Sequence, residues 1–380
     1  MKRIYLDYSA TTPVDLEVAA LMMKYYTEKF GNPSSAHSFG REAKQALEEA
    51  RRQVAELIGA TPDEITFTSG GTEADNLAII GTAKGMRAKG KHLITSAIEH
   101  HAVLETCEYL EENGYELSVV PVDSEGVVSV EDIRRAVRPD TILISIMHAN
   151  NEVGAIQPIV EIGNLAKERG ITFHVDAVQS LGRIPINVRE MNIDLLSMSS
   201  HKIYGPKGAG ALYIREGVSI VPLLHGGSQE RGHRTGTENT PGIVGFGKAC
   251  ELIGKRMAEE TKFQTKLRDK LMNGILERIE FVKVNGPRGE KRLPNNVNVS
   301  IRFVEGESLL LALEMLGIAA SSGSACTSGA HDPSHVLLAM GLDHEFINGS
   351  LRFSLGRHNT EEEIDYVLEQ LPKIAERLRM

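Results

Sequence analysis

No hydrophobic run in the 380-residue chain is long enough to cross a bilayer. The longest apolar stretch, 308–320, is interrupted by Glu314, whereas a spanning helix needs about 20 apolar residues. The first residues lack the apolar core of a signal peptide, so a soluble, cytoplasmic protein with no membrane association is expected. Positive charge is also scarce, because 42 Lys and Arg stand against 51 Asp and Glu for a formal net charge of −9. That balance offers no basic footprint for direct nucleic-acid binding. Cysteine is rarer still: Cys107, Cys250 and Cys326 are odd in number, widely spaced and free of any C-x-x-C pattern. A disulfide framework is thereby excluded, no metal-binding cysteine pattern is present, and reduced thiols are expected. The chain has no internal repeat and no low-complexity segment.

What is present is alternation. A chain of this length is expected to pack as two subdomains. Between 60 and 215, short β-rich runs alternate with helical patterns, as βαβ units of a largely parallel sheet do. Seven runs qualify as strands: 64–68, 92–95, 116–120, 141–147, 172–176, 195–199 and 210–214. The last follows its predecessor through Tyr204-Gly205-Pro206-Lys207-Gly208, a turn too short for a parallel crossover, so it should run antiparallel. Before the sheet, 42–58 carries apolar residues at Leu47, Val54, Leu57 and Ile58 and stops at Gly59, the pattern of an amphipathic helix with a glycine C-cap. From about 260 the pattern changes to a charged helix at 259–276, strands at 280–284 and 296–302, a helix at 307–316 and a strand at 351–354. Thr360-Glu361-Glu362-Glu363 then reads as a capping box opening the last helix. The expected division is a large α/β domain over 15–258 and a smaller α+β domain made of 1–14 and 259–380.

Two of the strand ends carry chemistry. The run 172–176 ends in Asp176, and the run 195–199 leads into Lys202. If the two are neighbouring parallel strands, a carboxylate and an amine project from the edge where open α/β sheets bind ligands. Pyridoxal 5'-phosphate requires that pair: a lysine for its aldehyde, and an anion to keep its ring nitrogen protonated as an electron sink. Taken alone, the two residues also suit solvated strand ends. Thr66-Phe67-Thr68-Ser69-Gly70-Gly71-Thr72-Glu73 is a strand, a small-residue loop and a helix start. There Gly71 and Thr72 can offer backbone N–H groups and a hydroxyl to a phosphate, although a plain strand-to-helix connection looks much the same.

Together these segments resemble the cysteine desulfurases of the NifS/IscS type, which are fold-type I pyridoxal phosphate enzymes. The resemblance runs from Leu6-Asp7-Tyr8-Ser9-Ala10-Thr11-Thr12-Pro13 through His148-Ala149-Asn150-Asn151-Glu152-Val153-Gly154, His174-Val175-Asp176-Ala177-Val178-Gln179 and Ser199-Ser200-His201-Lys202 to Ser321-Ser322-Gly323-Ser324-Ala325-Cys326. It implies a seven-stranded, mostly parallel sheet with helices on both faces, plus a smaller α+β domain. It makes Lys202 the Schiff-base lysine, Asp176 the partner of the ring nitrogen, Gln179 a donor to the phenolic oxygen and His100 an imidazole stacked on the ring. Asn151 would lie near cofactor and substrate carboxylate, and Arg352 would grip that carboxylate, a task suited to a planar guanidinium. The phosphate would be held at Gly71, Thr72, Ser199 and His201, joined by Thr237 from a second subunit, which implies a homodimer.

Cys326 decides the reaction. It stands among small residues, 321–330, ahead of His331-Asp332-Pro333, which reads as an exposed, mobile loop rather than a core position. Cys107 and Cys250 sit in helical, apolar-flanked contexts and are expected to be inert. The resemblance implies conversion of L-cysteine to L-alanine. Lys202 would remove the Cα proton, His100 would manage the thiol proton, and Cys326 would take up sulfur as a persulfide. An acceptor protein would then receive it, for iron–sulfur cluster assembly, for tRNA thiolation or for both. Gly71, Ser200 and the Ser-Gly-Ala-His run after Thr327 depart from the common family pattern without removing a chemical group. A selenocysteine lyase would use the same site, an aminotransferase would have no use for Cys326, and a non-enzymatic sulfur-delivery scaffold would bind no cofactor.

Overall fold

The computed structural model describes residues 3–322 and 333–379. Its centre is a seven-stranded sheet in the order Ile65–Thr68, Gly210–Ile214, Leu195–Ser199, Thr172–Asp176, Thr141–Ser145, His92–Ser96, Glu116–Val120. Gly210–Ile214 runs antiparallel to both its neighbours, and the remaining pairs are parallel. The seven strands fall where the sequence places them, within two residues at each end.

Alternation along the strands explains the layering, because successive side chains leave a strand on opposite faces. Leu196 and Phe173 enter the main apolar core with Val54 and Phe246, whereas Leu195 joins Leu77 and Ala78 of the helix Gly71–Gly85 on the other face. His174 and Asp176 stand out of register with Phe173 and Val175, which belong to the main core. They therefore face the layer that contains Gly71–Gly85. The helix expected at 42–58 starts earlier, at Ser38, and ends as expected on Gly59 at φ +69°.

A second apolar cluster joins Ile4 and Leu6 to Val297, Leu351, Phe353 and Leu371. It is built around an antiparallel sheet in the order Ser350–Ser354, Asn296–Ile301, Val282–Val284, with Ile4–Tyr5 pairing in parallel with Ile318–Ala319. The last helix, Glu361–Arg379, opens on the expected capping box, with Thr360 and Glu363 exchanging backbone-to-side-chain hydrogen bonds at 3.3 Å.

The helix expected at 259–276 is longer. It runs unbroken over Thr240–Arg278, its first half packed in the main core and its second half in the other cluster. Its early glycines are contact points rather than breaks. A Cβ on Gly245 would lie 2.6 Å from Met22 Sδ, and one on Gly247 would lie 2.5 Å from Ala50 Cα. Close helix packing outweighs the roughly 1 kcal/mol that each glycine costs in propensity. Among the described residues, no helix is long and apolar enough to cross a membrane.

Candidate active site

At the carboxyl ends of the parallel strands lies a cavity of about 350 Å³. Apart from Thr237 and Cys326, every candidate named from the sequence lines it: Gly71, Thr72, His100, Asn151, Asp176, Gln179, Ser199, His201, Lys202 and Arg352. Thr237 is exposed on the loop before the helix Thr240–Arg278, away from this cavity in the single chain. Cys326 lies outside the described residues.

Asp176 ends its strand with only 6% of its surface exposed, and its carboxylate accepts the Val178 N–H at 2.8 Å. Burial lifts its pKa to about 6, while that backbone donor and the charge of Lys202 pull the other way. Lys202 follows the adjacent strand through the tight turn Ser200–Lys202, and its Nζ donates to the backbone carbonyls of Ser9 at 2.5 Å and Ala10 at 2.9 Å. The amine and carboxylate inferred from strand ends thus share one cavity, with the N-terminal segment laid across it.

His100 caps the helix His101–Glu112, and its Nδ1 accepts the Ala102 N–H at 3.1 Å. A nitrogen that accepts must carry the lone pair, which places the ring proton on Nε2. Burial first, then the charge of Lys202, lowers the imidazole pKa to about 4, so the ring is neutral near pH 7. His201 is brought to about 4 by the same two causes, and its Nδ1 pairs with Thr11 Oγ1 at 3.1 Å.

The helix Gly71–Gly85 starts against this cavity, and its first N–H groups lack intrahelical acceptors, as they do at any helix start. A Cβ on Gly71 would lie 2.7 Å from Val178 Cγ2. A side chain there would push the helix start away from the strand ends, so glycine keeps the N–H groups close. The hydroxyls of Thr72 and Ser199 and the His201 ring line the same cavity, forming a neutral donor set suited to a phosphate.

Gln179 Nε2 donates to Ser9 O at 2.9 Å, while its buried Oε1 and the buried Ser9 Oγ have no hydrogen-bond partner. Unmet polar atoms beside an acid that burial disfavours are what a polar ring molecule would satisfy. Arg352, on the strand Ser350–Ser354, is 2% exposed and bonds Asp7 Oδ1 at 2.9 Å and Asn151 O at 3.2 Å. Its Nε has no partner, so the guanidinium is anchored with donor capacity to spare. The residues therefore fit pyridoxal phosphate. Among the described residues, no cluster of His, Cys, Asp or Glu is arranged to hold a metal.

The structure adds groups that the sequence left without a role. Asp75, on the buried face of Gly71–Gly85, also lines the cavity, and its Oδ1 lies 3.6 Å from His174 Nε2. His174 is held between Ser145 Oγ at 2.8 Å and Ser197 Oγ at 2.9 Å, and burial lowers its pKa to about 3. Burial, reinforced by Asp176, drives the Asp75 carboxyl well above its ordinary range. An acid between Ala74, Leu77 and Ala78 on an apolar helix face was the available signal, since an unpaired charge is costly there. Cys107 and Cys250 are free and buried, and burial raises both thiol pKa values, leaving them protonated.

Residues 4–367 match the aminotransferase class-V family. The chain is 57% identical over 379 residues to the cysteine desulfurase IscS of Clostridium botulinum strain Hall, covering all of this chain and 96% of that protein. A solved NifS-like protein superposes with a TM-score of 0.93 at 43% identity, covering 99% of this chain and all of the other. The structure described as SspA in complex with cysteine has a TM-score of 0.83 at 40% identity, covering 94% of this chain and all of that one.

Proposed function

The chain belongs to the aminotransferase class-V family, and on that premise we infer that it is a pyridoxal phosphate-dependent L-cysteine desulfurase that supplies sulfur for iron–sulfur cluster assembly and/or tRNA thiolation. The observation that carries the reading is the convergence of Asp176, Lys202, His100 and Arg352 on one cavity, in a chain 57% identical to a cysteine desulfurase over its full length.

When bound, pyridoxal phosphate supplies an aldehyde for an amine and a protonated ring that takes up electrons from the substrate Cα. Asp176 would supply the buried anion for the ring nitrogen, and Gln179 Nε2, which keeps one N–H beyond its bond to Ser9 O, would donate to the phenolic oxygen. Gly71, Thr72, Ser199 and His201 hold the phosphate, and Thr237 reaches it from a second subunit, for which its exposed loop position is suited. Arg352, steadied by Asp7 and by the Asn151 carbonyl, grips the substrate carboxylate beside Asn151. Lys202 accepts the Cα proton and later returns one. His100 would lie against the ring, its neutral imidazole presenting Nε2–H to donate a hydrogen bond to the substrate sulfur, and would take up the thiol proton only once Nδ1 is released from the Ala102 N–H. Cys326, as thiolate, attacks the substrate sulfur. The S–S bond forms as the C–S bond breaks, leaving L-alanine and a persulfide on Cys326. An acceptor protein then takes the sulfur.

The same reading makes the protein a cytoplasmic homodimer whose phosphate sites are shared. Two buried free thiols suit a reducing compartment. It also divides the chain into a large domain over 15–258 and a small one of 1–14 with 259–380, joined through the helix Thr240–Arg278 and separated by their apolar clusters. Borohydride treatment of the holoenzyme tests the site. The cofactor should become covalently attached to Lys202 alone, and attachment to another lysine, Lys207 included, would reject the assignment.

A further inference from the structure

On the desulfurase reading, on which this inference rests, the Cys326 thiol must reach substrate in the cavity. The flanks of the segment bearing Cys326 are described on both sides. Before it, Ser321 exchanges two backbone hydrogen bonds with Arg352, at 3.1 and 2.7 Å. After it, Ser334 Oγ donates to Glu152 Oε2 at 2.5 Å, and His335 Nε2 meets the backbone carbonyl of Glu99 at 2.9 Å. A carbonyl only accepts, so that imidazole proton sits on Nε2.

The partners are not scattered. Glu152 follows Asn151, and Glu99 precedes His100, so two consecutive residues grip the two turns that carry two site residues. Both turns are stiff. The Glu152 carbonyl accepts from Asn296 Nδ2 and Asn298 Nδ2, each at 3.0 Å, and the Glu99 carboxyl accepts from Ser96 Oγ at 2.5 Å and from the Met147 N–H at 3.0 Å. Ser334 is 5% exposed, and its hydroxyl also accepts the Leu337 N–H at 3.2 Å, capping the helix His335–Ala339. Val336 and Leu337 of that helix pack in one apolar cluster with Ile98, Met147 and Val153, next to the same turns.

We infer that Ser334 and His335 are positioning residues for sulfur transfer, fixing the chain that leaves Cys326 to the turns bearing Asn151 and His100. Neither residue lines the cavity, so both act through their partners. Proton removal at Cα uses Lys202 and does not need this tether, whereas attack by a thiol on a separate segment does. Loss of register there should slow attack roughly 10- to 100-fold.

The test uses holoenzyme carrying Ser334→Ala, Ser334→Thr or His335→Phe. Exchange of the substrate Cα hydrogen with deuterated solvent is compared with single-turnover appearance of the persulfide on Cys326, read by mass. Expected is exchange within about twofold of the parent in all three, with the persulfide rate reduced roughly 10- to 100-fold in Ser334→Ala and His335→Phe and restored in Ser334→Thr. A merely structural role would lower both rates together. Overturning results are a parent-like persulfide rate in Ser334→Ala, exchange falling in step with it, or no rescue by threonine. Where Ser334→Ala fails to hold cofactor, His335→Phe decides by the same comparison. A parent enzyme that forms no persulfide on Cys326 would instead overturn the desulfurase reading itself, and this inference with it.

Discussion

Arg352, on the strand Ser350–Ser354, and Asp7, just past the strand Ile4–Tyr5, are joined at 2.9 Å, so a residue near the start of the chain aims the guanidinium that faces the cavity. Replacing Arg352 with Ala should raise KM for L-cysteine roughly 10- to 100-fold, the equivalent of about 1.5–3 kcal/mol for a lost charged hydrogen bond. Asp7→Asn should shift it in the same direction by less. The cofactor's visible band should not move in either variant. Steady-state kinetics with an absorbance spectrum decide the matter, and an unchanged KM in Arg352→Ala removes the carboxylate grip.

Glu230 and Arg51 make a second buried pair, with contacts of 2.7 and 2.8 Å. They cover the edge strand Ile65–Thr68: Glu230 also accepts the Phe67 N–H at 2.8 Å, and Arg51 donates to Ile65 O at 2.7 Å. Glu230 holds a left-handed backbone, φ +44°, to do so. Glu230→Ala would leave the buried Arg51 charge with only the half-exposed Glu48, 3.4 Å from its Nε, as a carboxylate partner, at a cost of about 3 kcal/mol, the lower end for a broken buried pair. Denaturant unfolding of the apoprotein should show that loss, and a change below about 1 kcal/mol would mean that water reaches the pair.

Much of this molecule is legible in its sequence, for identifiable reasons. The seven strands are apolar runs bounded by turn residues, and the shortness of the 204–208 turn dictates the antiparallel strand. Asp176 and Lys202 emerge because strand ends converge in a doubly wound sheet. What escapes is what residue type does not encode. The carbonyls of Ser9 and Ala10 hold Lys202 through backbone atoms, which any residue could supply. Gly245 and Gly247 read as weak helix formers, and only their neighbours Met22 and Ala50 reveal that close packing selects them. Asp75 and His174 meet across a helix and a strand separated by about a hundred residues, a pairing that no local pattern announces.

Glu99 gives a pH prediction with a definite sign. Burial raises its carboxyl from 4.5 to about 8. Between those values the folded chain keeps a proton that the unfolded chain has lost, so this group subtracts stability as pH rises through the window, and the loss is complete above pH 8. Glu99→Gln cannot ionise. Its apoprotein should therefore gain stability relative to the parent between pH 5 and pH 9, seen as a growing difference in denaturant midpoint. A difference that stays constant with pH would show that Glu99 is ionised throughout.

The most direct measurement replaces Cys326 with Ala and follows three signals on mixing the holoenzyme with L-cysteine: the cofactor spectrum, exchange of the Cα hydrogen with deuterated solvent, and L-alanine release. On the proposal that Lys202 acts at Cα and the thiol on the departing sulfur, the variant should bind cofactor and substrate and exchange the Cα hydrogen at the parent rate. It should form almost no alanine, while the parent gains the mass of one sulfur atom on Cys326, and Cys107→Ala and Cys250→Ala should behave as the parent does. Alanine release by the Cys326 variant at the parent rate would contradict the central claim, since sulfur would then leave without that nucleophile.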